Sequence, residues 1–281
     1  MTAAAETLPR RATISFAWVR RHVLTVYAAL ALLYLFLPIA IVILFSFNNP
    51  AGRFNYTWQG FTLKNWENPL GYPGLSSAIK VSLEIAILSS LVATALGTLI
   101  ALALVRYGFR GRGLVNLLIF MPMTTPEVVM GASLLALFVG WGVQLGFVTI
   151  FIAHVLFNIS YVVVTVKARL VGFDRHLEEA AMDLGANEWT TFWKVTLPLI
   201  MPGILAAGLL AFALSVDDFV ITYFNSGATT TFPLFVWGAA RVAVPAQINV
   251  IGTTIFVVAV GAMLANIMIQ NTRARRSASP A

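Results

Sequence analysis

The sequence predicts an all-α, polytopic membrane protein with six transmembrane helices. Three observations carry this. Of 281 residues, 59% are apolar and only 10% are charged, against about 25% charged in a typical soluble domain. The mean hydropathy is +0.86, more apolar surface than a soluble core hides without leaving large exposed patches. Finally, the apolar residues fall into six stretches, each long enough for a hydrocarbon core of ~30 Å, which takes about 20 helical residues. These runs lack period-two alternation, so they read as helices and not as barrel strands.

The spans are expected at 24–47, 77–105, 114–140, 143–166, 198–224 and 248–270. The first follows Arg10, Arg11, Arg20 and Arg21. It exceeds the roughly 7–15 residues of a signal-peptide core, so it reads as a retained span. The second ends before Arg106, Arg110 and Arg112. Within the third, the string Pro122-Met123-Thr124-Thr125-Pro126 predicts a kink. The fourth ends before Lys167 and Arg169, and the fifth opens on Pro198, a residue tolerated in a first helical turn. The sixth precedes Arg273, Arg275 and Arg276. Fourteen of the 18 Lys and Arg then fall on one side, against Arg53, Lys64 and Arg241 on the other. The positive-inside rule predicts both termini in the cytoplasm. The organisation expected is a cytoplasmic segment at 1–23, a membrane domain at 24–270 and a cytoplasmic tail at 271–281.

Several functions are excluded. The chain has no cysteine, hence no disulfide scaffold, thiolate metal site or cysteine nucleophile. No lysine follows a glycine, so the chain carries no P-loop of its own. His22, His154 and His176 lie in three separate segments without metal-ligand spacing, and His154 reads as a packed or hydrogen-bonded side chain. The net charge of +7 sits in short gaps between spans, a topology signal and not a nucleic-acid footprint. No catalytic residue, metal site or cofactor is expected.

Ionisable groups inside spans are costly and therefore functional candidates. Lys80 and Glu84, four residues apart on one helix face, read as a mutually neutralised pair. Glu127 in the third span and Asp217-Asp218 in the fifth have no basic neighbour in their spans. Glu127 lies about 20 Å past residue 114 and Asp217 about 28 Å past Pro198 along ideal helices, which sets both at similar depth. Facing one cavity, they would make it anionic and suited to a cation. Adjacent aspartates on a helix diverge by about 100°, so one is expected to face the path and the other to support it. The competing reading is hydrated carboxylates at a span end. Trp58 and Trp66, in the gap after span one, suit either cation–π contact with an amine or an interfacial belt.

The gap at 167–197 holds five of the eleven acidic residues. Asp174 suits a helix N-terminus, and Leu177, Ala181 and Leu184 make a narrow apolar stripe. Gly185 suits a helix end. The segment therefore reads as a short helix, a turn and a second helix. Glu179-Ala180-Ala181, Gly185 after three residues, and Val195-x-Leu197-Pro198 after nine more resemble the EAA signature of ABC importer permeases. Val195 stands where that family often has isoleucine.

Further strings extend the likeness: Ser46-Phe47-Asn48, Trp58-Gln59-Gly60-Phe61-Thr62, Gly142-Val143-Gln144-Leu145-Gly146-Phe147 and Leu214-Ser215-Val216-Asp217-Asp218-Phe219-Val220. Together they resemble the spermidine/putrescine branch of that family. The resemblance implies the type I importer permease fold, in a bacterial inner membrane. It implies a coupling loop at 167–197 in which Glu179, Ala180, Ala181, Gly185, Leu197 and Pro198 meet an ATP-hydrolysing subunit. It also implies a substrate path through Glu127, Ser215, Asp217, Asp218 and Trp66; the family often has aspartate where Glu127 stands. The implied partners are a second homologous permease, two copies of an ATP-binding cassette subunit, an extracytoplasmic polyamine-binding protein and the lipid bilayer, with no nucleic acid. Alternatives are a related importer for another cationic or small organic solute, a proton-coupled secondary transporter, and an intramembrane aspartyl protease. The last needs facing aspartates on separate helices, which adjacent Asp217-Asp218 do not supply.

Overall fold

The computed structural model describes residues 16–277; Arg10 and Arg11, the rest of the first 15 residues and 278–281 lie outside the described residues. The chain divides into two compact units, split after Pro69 and before Val244. The first unit opens with α1 (Phe16–Ser46), apolar beyond His22. Most of its described side chains are exposed, with Tyr27, Leu33, Tyr34 and Leu35 all more than half so. Such a surface needs lipid or protein around it. Past α1 the chain folds back on itself around buried asparagines. Asn48 Nδ2 donates to Asn55 Oδ1 (2.6 Å) and to the carbonyl of Thr57 (2.7 Å). Asn65, on the short helix α2 (Lys64–Glu67), donates to the carbonyls of Asn48 and Ser46. These amides satisfy backbone groups that leave α1 without a helical partner.

The second unit is built on α3 (Leu75–Arg106), which is followed by α4 (Arg112–Thr124), α5 (Glu127–Gly140) and α6 (Phe147–Val171). A segment with α7 (His176–Asp183) and α8 (Glu188–Thr191) leads through a π-helical turn at Phe192–Thr196 into α9 (Leu197–Asp217). Then come α10 (Val220–Asn225) and α11 (Phe232–Val242). Helices α3, α6 and α9 pack together around Ala93, Ala101, Val162, Val166, Ile200 and Ala207. Small residues set the spacing: a Cβ on Gly97 of α3 would lie 2.6 Å from the Val162 side chain of α6. In a membrane, close backbone approach replaces the hydrophobic drive between helices. The chain then returns to the first unit, where α12 (Ala246–Ser277) packs along α1.

Among the described residues, four helical runs are long and apolar enough to cross a bilayer: His22–Ser46, Leu75–Arg106, Phe147–Val171 and Glu188–Asp217. The span expected at 114–140 is not one straight crossing. It is the pair α4 and α5, bent by 108°. Pro126 has no N–H to continue the ladder, and it pushes Thr125 into the extended region, ψ 131°. The kink expected from the prolines is thus present, and sharper than a kink. The span expected at 198–224 is also interrupted. It ends at Asp217, and the chain turns at Asp218 (ψ 121°) before α10. Pro198 does not start that span either. The helix runs in continuously from α8, and the π turn just before Pro198 widens the ladder where the proline ring would press on the carbonyl four residues back.

Candidate functional site

Both interruptions open on one cavity of about 480 Å³ in the second unit. Glu127, Asp217 and Asp218 all line it, with Tyr161, Phe157 and Phe219 forming an aromatic part of the wall. The three carboxylates that the sequence set at similar depth are therefore brought together. Their electrostatic settings differ. Glu127 is the first residue of α5, at a helix end that favours negative charge. Asp217 is the last residue of α9, where the dipole and the free carbonyls add negative potential of their own. Charge at Asp217 is uncompensated by its helix, and it is exposed to the cavity.

Asp218 is held otherwise. Its carboxylate accepts from Thr222 N (2.8 Å), from the Thr222 hydroxyl (2.7 Å) and, more weakly, from Ile221 N (3.4 Å). It therefore caps the start of α10, where the dipole suits it. His154 Nε2 lies 3.3 Å from Asp218 Oδ2, and the two side chains are 1% and 7% exposed. Of the two adjacent aspartates, Asp217 faces the cavity freely and Asp218 supports the break. His154 is a hydrogen-bonded side chain, in keeping with its reading from sequence.

Ser215 is buried behind the wall, and its hydroxyl lies 2.6 Å from His154 Nδ1 and 3.0 Å from Ser89 Oγ. Trp66 belongs to the first unit, where it stacks on Phe47 at 5.3 Å, with Phe61 on the same ring at 5.6 Å. Lys80 and Glu84 form the expected pair at 3.8 Å. Sequence reasoning missed the aromatic wall and the partners of His154. The signal was present: His154, Phe157 and Tyr161 follow at i, i+3 and i+7, one helix face. Gly131 of α5 matters too, since a Cβ there would come within 2.8 Å of Phe224 in α10. That close approach, with the Asn225 amide donating to the Gly131 carbonyl, holds the far sides of the two breaks together.

At the other candidate region, α7 carries Glu178, Glu179, Ala180 and Ala181. Glu178, and not Glu179, is tied to the chain itself: it pairs with Arg106 at the end of α3 and accepts from the Thr196 hydroxyl. Arg175 adds a bond to the carbonyl of Val105 (3.2 Å). Asp174 Oδ1 accepts from His176 N at 3.0 Å, one residue ahead of the N-cap position, which Arg175 holds. Glu179 and Ala180 remain exposed. Gly185 turns the chain with φ +90°, and nothing lies within 4 Å of where its Cβ would be, so backbone conformation and not crowding selects glycine there. Around it Leu184 is 91% and Trp189 70% exposed. Of the apolar stripe read from the sequence, Leu177 and Leu184 are exposed and Ala181 is half-buried, with Leu184 just past the end of α7.

Residues 93–277 match the family described as binding-protein-dependent transport system inner membrane component. The chain belongs to this family. The permease is 40% identical over 243 residues to the spermidine/putrescine transport system permease protein PotC of Escherichia coli K12, covering 86% of this chain and 91% of that one. It is 40% identical over 230 residues to the putrescine transport system permease protein PotI of the same organism, covering 79% and 81%. Among solved structures, a bacterial ABC transporter involved in the import of the acidic polysaccharide alginate superposes with a TM-score of 0.63 at 16% identity, covering 95% of this chain and 98% of that one. The MetNI methionine ABC transporter gives 0.54 at 15%, covering 73% and 96%. At such identities these two show the fold alone, that of an ABC transporter permease. Family membership displaces the secondary-transporter and protease alternatives. The permease is a multi-pass membrane protein and a transport subunit, not an enzyme.

Proposed function

We propose that the permease forms part of the translocation path for polyamines in an ATP-driven importer. The observation that carries this is the cavity in which Glu127 and the uncompensated Asp217 converge at two helix interruptions. The 40% identity to spermidine/putrescine permeases over most of the chain supports the same substrate class. Protonated amines would donate charge-assisted hydrogen bonds to the carboxylates and take cation–π contact from Tyr161, Phe157 and Phe219. Asp218 borders the path and Ser215 supports it from behind the wall, while Trp66, stacked on Phe47, serves an interfacial aromatic belt.

In this reading the membrane domain is 24–270 with six crossings, the bent α4–α5 pair counting as one and α12 as the sixth. Both termini are cytoplasmic, with segments 1–23 and 271–281 outside the domain, in a bacterial inner membrane. The loop at 167–197 docks on an ATP-binding cassette subunit, two copies of which serve this permease and a second homologous one. Glu179, Ala180 and Ala181 offer the contact, Gly185 the turn, and Leu197-Pro198 the join to the span. An extracytoplasmic binding protein delivers the polyamine. The solved relatives include an alginate transporter in complex with its pentasaccharide-bound periplasmic protein, which supports this kind of assembly.

Affinity isolation of the permease from membranes tests the assembly. A P-loop ATPase and a second permease are expected to co-purify, and Gly185→Val is expected to release the ATPase while leaving the permease inserted. Valine at φ +90° is a strained residue. Retention of the ATPase by that variant, with normal spermidine and putrescine uptake, would falsify the docking role.

A further inference from the structure

We propose that His154 is a positioning residue for transport: it holds Asp218 in the break between α9 and α10, and so leaves Asp217 alone to serve the cation. The inference rests on the polyamine path argued above and adds to it a residue that lies outside the cavity lining.

Four elements meet at this ring. His154 stands on α6, its Nδ1 2.6 Å from Ser215 Oγ of α9 and its Nε2 2.9 Å from Thr222 Oγ1 of α10. Ser215 in turn reaches Ser89 of α3 at 3.0 Å. The proton inventory fixes the roles. A threonine hydroxyl has one hydrogen, and that of Thr222 goes to Asp218. The Thr222 oxygen can therefore only accept from the ring, so Nε2 carries the proton. That same N–H faces Asp218 Oδ2 at 3.3 Å. With the ring neutral, Nδ1 accepts from Ser215. With the ring charged, Nδ1 donates to it. The hold on Asp218 survives either way.

The carboxylate thus has three donors bonded to it, two backbone N–H groups and one hydroxyl, with the imidazole Nε2 3.3 Å away as its ion-pair partner. Without the imidazole, one oxygen of a buried carboxylate loses a charge-assisted partner. The nearest relief is to turn toward the cavity that Asp218 already borders. There it would stand beside Asp217, and two adjacent carboxylates in one site disfavour each other's ionisation. The turn would also release Thr222 N, and with it the start of α10. Phe157, edge-on to the His154 ring at 5.3 Å, would lose its support as well. It is part of the cavity wall.

The test uses the complete importer in proteoliposomes, with assembly and ATPase content matched, and spermidine as the probe. His154→Gln keeps a donor at the Nε2 position and is expected to retain uptake within about threefold of the wild type. His154→Leu is expected to lose at least about tenfold, the equivalent of 1.4 kcal/mol. The deciding readout is the double variant. With His154→Leu in place, Asp217→Asn should cost less than about twofold more, because Asp217 has already lost its setting. A double variant whose loss equals the product of the two single losses overturns the positioning role, as does near-normal uptake by His154→Leu. If His154→Leu does not assemble, Ser215→Ala releases the ring at Nδ1, and the same cycle with Asp217→Asn decides by the same criterion. Near-normal uptake by Asp217→Asn alone removes the carboxylate path, and this proposal with it. A severe Asp217→Asn with an independent His154 overturns the positioning role and leaves the path standing.

Discussion

The bend between α4 and α5 and the break between α9 and α10 open the same cavity, yet they are made in different ways. The first starts from covalent structure and is pinned by packing at Gly131. Pro126 cannot donate, its ring forces Thr125 out of helix, and the Thr125 hydroxyl bonds back to the Met121 carbonyl at 2.7 Å. The second has no proline or glycine in the sequence Val216-Asp217-Asp218-Phe219-Val220. It is made by a carboxylate that prefers backbone N–H groups to a helical conformation, and by a histidine from another helix that holds it there. The difference teaches that a membrane helix can be broken by what it lacks or by what it binds. The second kind leaves one side chain spent on structure and its neighbour free for function. It also orients the free one badly for its own helix: Asp217 ends α9, while Glu127 begins α5.

Neutralising Asp217 and Glu127 separately gives the largest expected effect and tests this asymmetry. Asp217→Asn should lower spermidine uptake by more than about tenfold, since a charge-assisted hydrogen bond is worth about 1.5–3 kcal/mol. Glu127→Gln should lower it less, about threefold, because the α5 dipole already offsets part of that charge. Uptake at matched assembly checks both, and equal losses would erase the distinction between the two ends.

The break made by binding should be the weaker one to chemical change. Thr222→Val removes one hydroxyl donor from Asp218 and leaves the backbone donors, so uptake should drop about three- to fivefold, in keeping with roughly 1 kcal/mol for a net hydrogen bond. Pro126→Ala returns one N–H to the ladder, yet α5 remains pinned to α10 at Gly131. Spin labels at Leu117 and Val139, both exposed, should report an unchanged distance, with uptake within about twofold. A straightened pair would mean that the proline alone makes the bend.

The smallest effect is expected where the same two residue types meet in water. Asp174 and His176 pair at 2.6 Å, with side chains 64% and 87% exposed. Their mutual hydrogen bond lowers the Asp174 pKa and raises that of His176. The pair is complete between those two values. It weakens as pH rises through the raised histidine value and as pH falls through the lowered aspartate value. Solvent screens it, so His176→Ala should leave the uptake profile between about pH 6 and 8 within twofold of the wild type. A larger change would show that burial is not what sets the His154–Asp218 pair apart.

Much of the molecule was legible in the chain. Long apolar runs dictate helices, because backbone groups have no other partner in lipid. The prolines around Thr124 announce an interruption by their missing donors, and Gly185 announces its turn. Glu127 and Asp217 are conspicuous because charge is costly in a membrane. Other features depend on residues far apart. Ser215 was read as part of the path and lies behind it, since its orientation is set by His154 and Ser89, 61 and 126 positions away. Glu178, next to the Glu179 that the resemblance sets against an ATP-hydrolysing subunit, is taken up within the chain by Arg106, 72 positions away. The buried amides of Asn48, Asn55 and Asn65 gave no periodic signal at all, because they serve carbonyls at the end of α1 and in the loop after it, which set no period.

By itself the sequence determined which segments are helical, which residues are charged among apolar ones, and where proline forbids a straight span. These follow from local chemistry: donors present or absent, side chains that water or lipid accepts. Only the tertiary structure decided which of two adjacent aspartates is free. Asp217 and Asp218 have the same side chain in the same helix end, and they part company because His154 and Thr222 arrive on other elements and bond one of them. Hydrogen-bond partners at 2.7–3.3 Å are a property of packing in three dimensions, and no reading along one dimension contains them.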